Sequence, residues 1–354
     1  MNKLLISTLL CATFAMTACQ PSNDSGNSSS KKIPNNAIGF SVCCEQGLVT
    51  TVDEYVNAVE YVANQRGVAL NKQIANEGHS EQDPAMQFNQ IKEMIDKGAR
   101  AVIVVFVSDK NAAERRAKIL EYAEQHNVAI IAGRRAIPKN MLIKFKNTYA
   151  ISVSPEILGM QQGKMVADEW KKHPEWDLNQ DKKMAFAMLK GPESAEQAII
   201  RAKNAINTIR MDSQISSELV GNENSSWKRE DAKAVVAKWI SAGEIDKVEA
   251  IVANSDELAL GAVDALREAN RPLLPIFGMN SSSAGLEAIT NNELIGSVLP
   301  DAATMGSLSY QVAENLATKQ HIDAMLPANY QFRGSKELNV KPIIITKENI
   351  GQYK

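Results

Sequence analysis

The chain has 354 residues, with 39 Lys and Arg against 41 Asp and Glu and a formal net charge of -2. That balance, with no basic block outside a short stretch near the N-terminus, excludes the electrostatic footprint of a nucleic-acid binder. The four Cys and four His are not spaced as a disulfide framework, a metal set or a catalytic set.

Asn2 and Lys3 open the chain with a short polar, positive start, and Leu4 to Ala18 carry no charge. This run of about 15 residues is short of the roughly 20 needed to cross a bilayer and reads as a secretory signal peptide, residues 1–18. Met16-Thr17-Ala18-Cys19 resembles a lipobox, which makes Cys19 the site of lipidation after cleavage before it; the alternative is an ordinary signal peptide with a chance Cys. Residues 19–36 are Ser, Asn, Lys, Pro and Gly with almost no apolar side chain. Such a segment cannot bury enough surface to fold, and it is expected to tether the body to a lipid anchor.

Roughly 318 residues follow Asn36, more than one ordinary core, so two lobes are expected. Ala37–Val42 is a short apolar strand. Thr51–Gln65 has Val52, Tyr55, Val56, Val59 and Val62 at helical spacing. Strand Val68–Ile74 and helix Gln82–Asp96 follow, then Ala101–Val107, seven apolar residues in a row and the mark of a strand covered on both faces. Helix Lys110–His126 and strand Val128–Ala132 complete the first set. A second set begins after Ile151-Ser152-Val153: helix Pro155–Lys171, strand Lys183–Leu189, helix Ser194–Arg210, strand Ile215–Val220, helix Lys228–Ala242. The run from Val248 to Asp301 then reads strand, helix, strand, helix, strand, with polar residues where each strand stops (Asn254-Ser255-Asp256, Asn280, Asp301). In an open parallel sheet those strand ends line the crevice where ligands bind. The fold class expected is α/β, two doubly wound, Rossmann-like lobes.

The order and wording of these stretches, above all Val248–Asp301, resemble the type I periplasmic binding proteins, and within them the galactose/glucose-binding proteins of bacterial ABC transporters. The likeness covers nearly the whole chain after Asn36. It implies a three-segment hinge near 150–152, 299–301 and 334. The N-terminal lobe would be 37–150 plus 302–334 and the C-terminal lobe 151–301 plus 335–354. It further implies a monomeric, non-enzymatic receptor on the periplasmic side of a bacterial membrane, held there by its lipid alone. The receptor would capture a sugar-like solute between closing lobes and deliver it to ABC permease subunits. The other reading is a sensor that presents its bound form to a membrane chemoreceptor or histidine kinase.

Asp177-Leu178-Asn179-Gln180-Asp181-Lys182-Lys183 offers oxygens at alternate positions, as a Ca²⁺ loop does; the simpler reading is a solvated Asx turn. The resemblance adds the Lys183 carbonyl and distant Glu249 to Asp177, Asn179 and Asp181, with a structural role for the ion. It puts Ala185 where an amide ligand is expected and Lys182 where a turn Gly is expected. In the sugar site the resemblance places Trp227 on a stacking Trp and Arg201 on an Arg, while Gly47, Gln197 and Asn280 stand where acids are expected, and Ser255 where an Asn is. Glu45 lies nearby after the first strand. Arg134-Arg135, after the fourth strand, either line the cleft or form a solvated basic pair. With three acids missing and Arg201 kept, the cleft is less negative than a glucose site. A buried Arg needs a partner: either Glu45 supplies it or an acidic solute does. Cys43-Cys44, at the cleft mouth, form a strained vicinal disulfide, bind a soft metal, or are small half-buried fillers.

Overall fold

The computed structural model describes residues 33–34, 37–43, 50–75, 84–107, 112–134 and 137–353. Cys19, Cys44, Glu45, Gly47 and Arg135, which the sequence singled out, lie outside the described residues.

From Ile33 onward the chain forms one compact unit built on two six-stranded sheets. The first set is β1 (Ile38–Val42), α1 (Thr50–Gln65), β2 (Asn71–Ile74), α2 (Pro84–Asp96), β3 (Ala101–Val104), α3 (Ala112–Gln125), β4 (Ala129–Arg134), α4 (Lys139–Lys144) and β5 (Thr148–Ser152). The second is α5 (Pro155–Lys172), β6 (Lys183–Lys190), α6 (Glu196–Met211), β7 (Ser216–Asn224), α7 (Arg229–Ser241), β8 (Ala250–Ala253), α8 (Asp256–Glu268), β9 (Ile276–Phe277), α9 (Ser283–Thr290) and β10 (Gly296–Leu299). Helix α10 (Ala302–Ala317) and strands β11 (Glu337–Asn339) and β12 (Ile343–Thr346) close the chain.

The first sheet runs β11-β5-β4-β3-β1-β2 and the second β12-β10-β9-β8-β6-β7. All pairings are parallel except β10 with β12. Each sheet therefore reverses its winding once, between β1 and β3 and between β6 and β8, and a crevice opens at the strand ends beside each reversal. All of Ala101–Val107 is buried, as its continuous apolar run requires, although the strand itself ends at Val104. The close fit of the first lobe shows at Gly133, where a Cβ would lie 1.8 Å from the Tyr55 hydroxyl.

The chain crosses between sheets after β5, after β10 and after β11. Helix α10 returns to the first lobe, its Gly306 pressed on α1 so closely that a Cβ would stand 2.4 Å from the Tyr55 carbonyl. One sequence boundary is corrected here. The segment from 335 was expected in the second lobe, but β11 pairs with β5, Leu338 opposite Ile151. Only β12 joins the second sheet, Ile344 opposite Val298. The reason is local: Ala150 N–H donates to the Lys336 carbonyl at 2.8 Å, and Lys336 Nζ donates to the Leu142 and Phe145 carbonyls at the end of α4, at 3.0 and 2.7 Å. The open edge of β5 and the orphan carbonyls of α4 are satisfied together.

Candidate functional site

The strand ends of the second sheet are bound into one row by side chains. Gly191 N–H, just past β6, donates to Asn254 Oδ1, just past β8, at 3.2 Å. This bond spans the winding reversal. Gln162 on α5 donates through Nε2 to the carbonyls of Ala253 (2.7 Å) and Gly278 (2.9 Å), joining β8 to β9. Asp256 joins β8 to β10: Ser297 Oγ donates to Oδ1 at 2.7 Å, Ser282 N–H to Oδ2 at 2.6 Å. Ser281 N–H in turn donates to Ser297 Oγ at 3.0 Å.

Asp256 is buried, and burial raises its carboxyl to about 6 against the opposing pull of these donors. It fits because two neighbours lack side chains. A Cβ on Gly278 or Gly285 would come within 2.2 or 2.4 Å of its oxygens. Ser255 caps α8, its Oγ accepting the Leu258 N–H at 3.3 Å. Asn280 and Ser281 follow with φ of 96° and 49°, two consecutive non-glycine residues in the left-handed region. Strain of that kind persists where surrounding bonds over-determine it and clusters at ligand sites.

At the other end of the row stand Arg201 and Trp227. Arg201, on α6, places its guanidinium carbon 5.6 Å from the Trp227 ring. Its Nη1 donates to Met279 Sδ at 3.4 Å, and its Nε is buried with no partner. Burial pushes the guanidinium down to about 10, still charged at neutral pH. Among the described residues no carboxylate pairs with it. Trp227, after β7, rests on Gly191: a Cβ there would meet the ring at 2.3 Å, and 40% of the Trp remains exposed.

Of the residues singled out by sequence, the structure thus brings Arg201 and Trp227 together, with Asn280 next in the chain to Met279, which Arg201 meets. Ser255 sits at the end of β8, engaged as a helix cap. Gln197 is exposed on the first turn of α6. Sequence reading named Asn254 as a polar strand end without assigning it a contact, and missed Gln162 and Ser281. All three are buried, and Asn254 Nδ2, Gln162 Oε1 and Ser281 Oγ have no partner. Gln162 lay unnoticed on a helix, and its burial depends on a sheet formed by residues far along the chain. Arg134, at the end of β4, has φ 70°; Cys43 is buried at the end of β1.

Loop 177–183 lies apart from this row. Asp177 Oδ2 accepts the Lys182 N–H (2.9 Å), Asn179 Oδ1 the Asp181 N–H (2.8 Å) and Asp181 Oδ1 the Lys183 N–H (2.8 Å). Buried Glu249 clamps the loop, accepting from Leu178 N–H and Ala185 N–H, both at 2.9 Å. Among the described residues no group of three or more His, Cys, Asp or Glu stands together as a metal cage; the oxygen set here includes an amide and a backbone carbonyl. Asp177 Oδ1 is buried without a partner, which fits a cation acceptor at that point.

Two winding reversals, three crossings and a row of polar strand ends define a two-lobe α/β fold with a ligand crevice at its strand ends. The family model described as the periplasmic binding protein domain matches residues 46–321, and the chain belongs to that family. It is 28% identical over 274 residues to the D-galactose/methyl-galactoside binding periplasmic protein of Haemophilus influenzae, covering 77% of this chain and 80% of that one. It is 25% identical over 311 residues to a xylitol-binding protein of Mycolicibacterium smegmatis (87% and 78%). A solute-binding protein from Actinobacillus succinogenes with bound D-allose shares the fold with a TM-score of 0.68 at 17% identity, covering 89% of this chain and 99% of that one. The family places the protein on the periplasmic side. No helix among the described residues is long and apolar enough to cross a membrane.

Proposed function

We propose that this protein captures a sugar-like solute, a sugar or polyol, at the strand ends of its second lobe and carries it to an ABC importer. The observation that carries this reading is the Arg201–Trp227 pair beside Gly191. A half-exposed indole face suits the apolar C–H face of a ring or polyol chain. A guanidinium beside it grips paired oxygens. Asn254 and Ser281 add hydrogen-bonding atoms without partners in the same row. The relatives named for galactosides and xylitol support the solute class. A thermal-shift screen of sugars, polyols, sugar acids and nucleosides tests it: a ligand at 100 times its Kd adds about 2.7 kcal/mol of stability. No shift with any of them would refute the reading.

The receptor is held to the membrane by a lipid on Cys19, with residues 20–36 as tether. Support comes from the Met16–Cys19 match and the polar composition that follows. Cys19→Ser should release a processed protein into the soluble fraction; retention of the processed variant in the membrane would contradict the anchor. Asp177, Asn179, Asp181, the Lys183 carbonyl and Glu249 would hold Ca²⁺ with a structural role, supported by the orphan Asp177 oxygen. A chelator should lower the melting temperature of the wild type and leave Asp181→Ala unmoved. Identical wild-type curves with Ca²⁺ and chelator would remove the ion from the account.

A further inference from the structure

We propose that the captured solute is an acid, a carboxylate on a sugar or polyol skeleton, received by the Nε edge of Arg201. This rests on the receptor reading above and narrows its substrate class. A buried guanidinium is costly unless hydrogen-bonded acceptors surround it. Arg201 has few: Nη1 meets only a thioether sulfur, a weak acceptor, one face lies against Trp227, and Nε meets nothing. Desolvation lowers its pKa only to about 10, so the charge persists at the working pH of a periplasmic protein.

Among the described residues no acid answers it. The buried carboxylate at this end of the sheet, Asp256, is closed in its knot with Ser297 and Ser282. Gln197 and Asn280, nearest along α6 and after β9, are neutral. Asn254 adds a second donor, because its Oδ1 is taken by Gly191 N–H and its buried Nδ2 is left unpartnered. Two buried donors, Arg201 Nε and Asn254 Nδ2, therefore stay open in this row. The missing group is planar and acceptor-only. A carboxylate lies side-on against Nε and a terminal nitrogen of the fork with two parallel bonds. One guanidinium balances one negative charge, which suits a carboxylate better than a phosphate dianion.

The test is calorimetry on the purified chain with matched probes: D-galacturonate against D-galactose, D-glucuronate against D-glucose, D-gluconate against D-sorbitol, and D-glucose 6-phosphate. At least one acid should bind about 100-fold more tightly than its neutral partner. Arg201→Gln should bring that pair to near-equal affinity. Asn280→Asp, which returns an acid to the neighbourhood of Arg201, should weaken the acid and favour the neutral partner; it also serves if Arg201→Gln fails to fold. Equal or tighter binding of the neutral member in every pair overturns the proposal, as does tighter binding of the sugar phosphate than of any carboxylate. If only neutral sugars bind, the acid is wrong and the receptor stands. If no sugar, polyol or sugar acid binds, the receptor reading falls with it.

Discussion

Two charged groups at the same end of the same sheet meet opposite fates. Asp256 is fully buried and Arg201 half-buried with its Nε enclosed, and both have pKa values displaced by burial. Asp256 is enclosed by a hydroxyl and a backbone N–H, with two glycines making room for it. It ties β8 to β10 and holds Asn280 and Ser281 in their left-handed turn. Arg201 has a sulfur, an aromatic face and an orphan nitrogen. A satisfied buried charge specifies shape; an unsatisfied one reserves a place for something that arrives later. The same contrast separates loop 177–183, where Asp177, Asn179 and Asp181 each accept a backbone N–H, from the row around Asn254, where donors and acceptors stay open.

The largest test of the contrast is a pair of substitutions. Asp256→Ala strands the Ser297 hydroxyl and the Ser282 N–H and should cost about 3 kcal/mol in denaturant unfolding. Arg201→Met, of similar bulk, removes a buried charge with no partner and should leave stability unchanged or raised, while solute binding falls. If the two cost the same, Arg201 is as fully partnered as Asp256 and the distinction collapses.

A pH series gives a comparable effect. The folded-state value of Asp256, about 6, stands above the roughly 3.9 of an unfolded Asp, so between these values the native chain holds a proton the unfolded chain has lost. This contribution is fully present below about pH 4, fades as pH rises to 6 and is gone above, an amplitude of about 3 kcal/mol. Asp256→Asn should remove that slope. An unchanged slope in the variant would assign it to other groups.

A smaller effect is expected at loop 177–183. Glu249→Ala frees two backbone N–H groups and should cost about 2 kcal/mol without changing solute affinity. A large loss of affinity would tie the loop to the row it stands apart from. The smallest change in stability belongs to Gly191→Ala. Its methyl group meets the Trp227 ring at 2.3 Å and should displace the indole for about 1 kcal/mol. It should also abolish most of the tryptophan fluorescence change on solute addition. A variant that keeps the full signal would show that Trp227 does not report the site.

Most of the architecture is legible in the sequence. The period of Val52, Tyr55, Val56 and Val59 announces α1. The unbroken run at 101–107 announces a strand buried on both faces, and alternation of such segments through Asp301 announces two wound sheets. Arg201 and Trp227 could be named because the resemblance to the galactose/glucose-binding proteins places them on an Arg and a stacking Trp.

What sequence alone determined is what depends on neighbours along the chain: element type, winding, the polar ends of strands, and the residues that resemble a known site. Only the tertiary structure decided which of those polar groups are satisfied. Asp256 meets Ser297 across 41 positions and Gln162 reaches Gly278 across 116, separations no periodicity encodes. The same holds for β11, whose place on the first sheet depends on the free edge of β5 and on the α4 carbonyls that Lys336 reaches. Burial and hydrogen-bond completeness are properties of the closed fold. They make Asp256 part of the frame and leave Arg201 open to a solute.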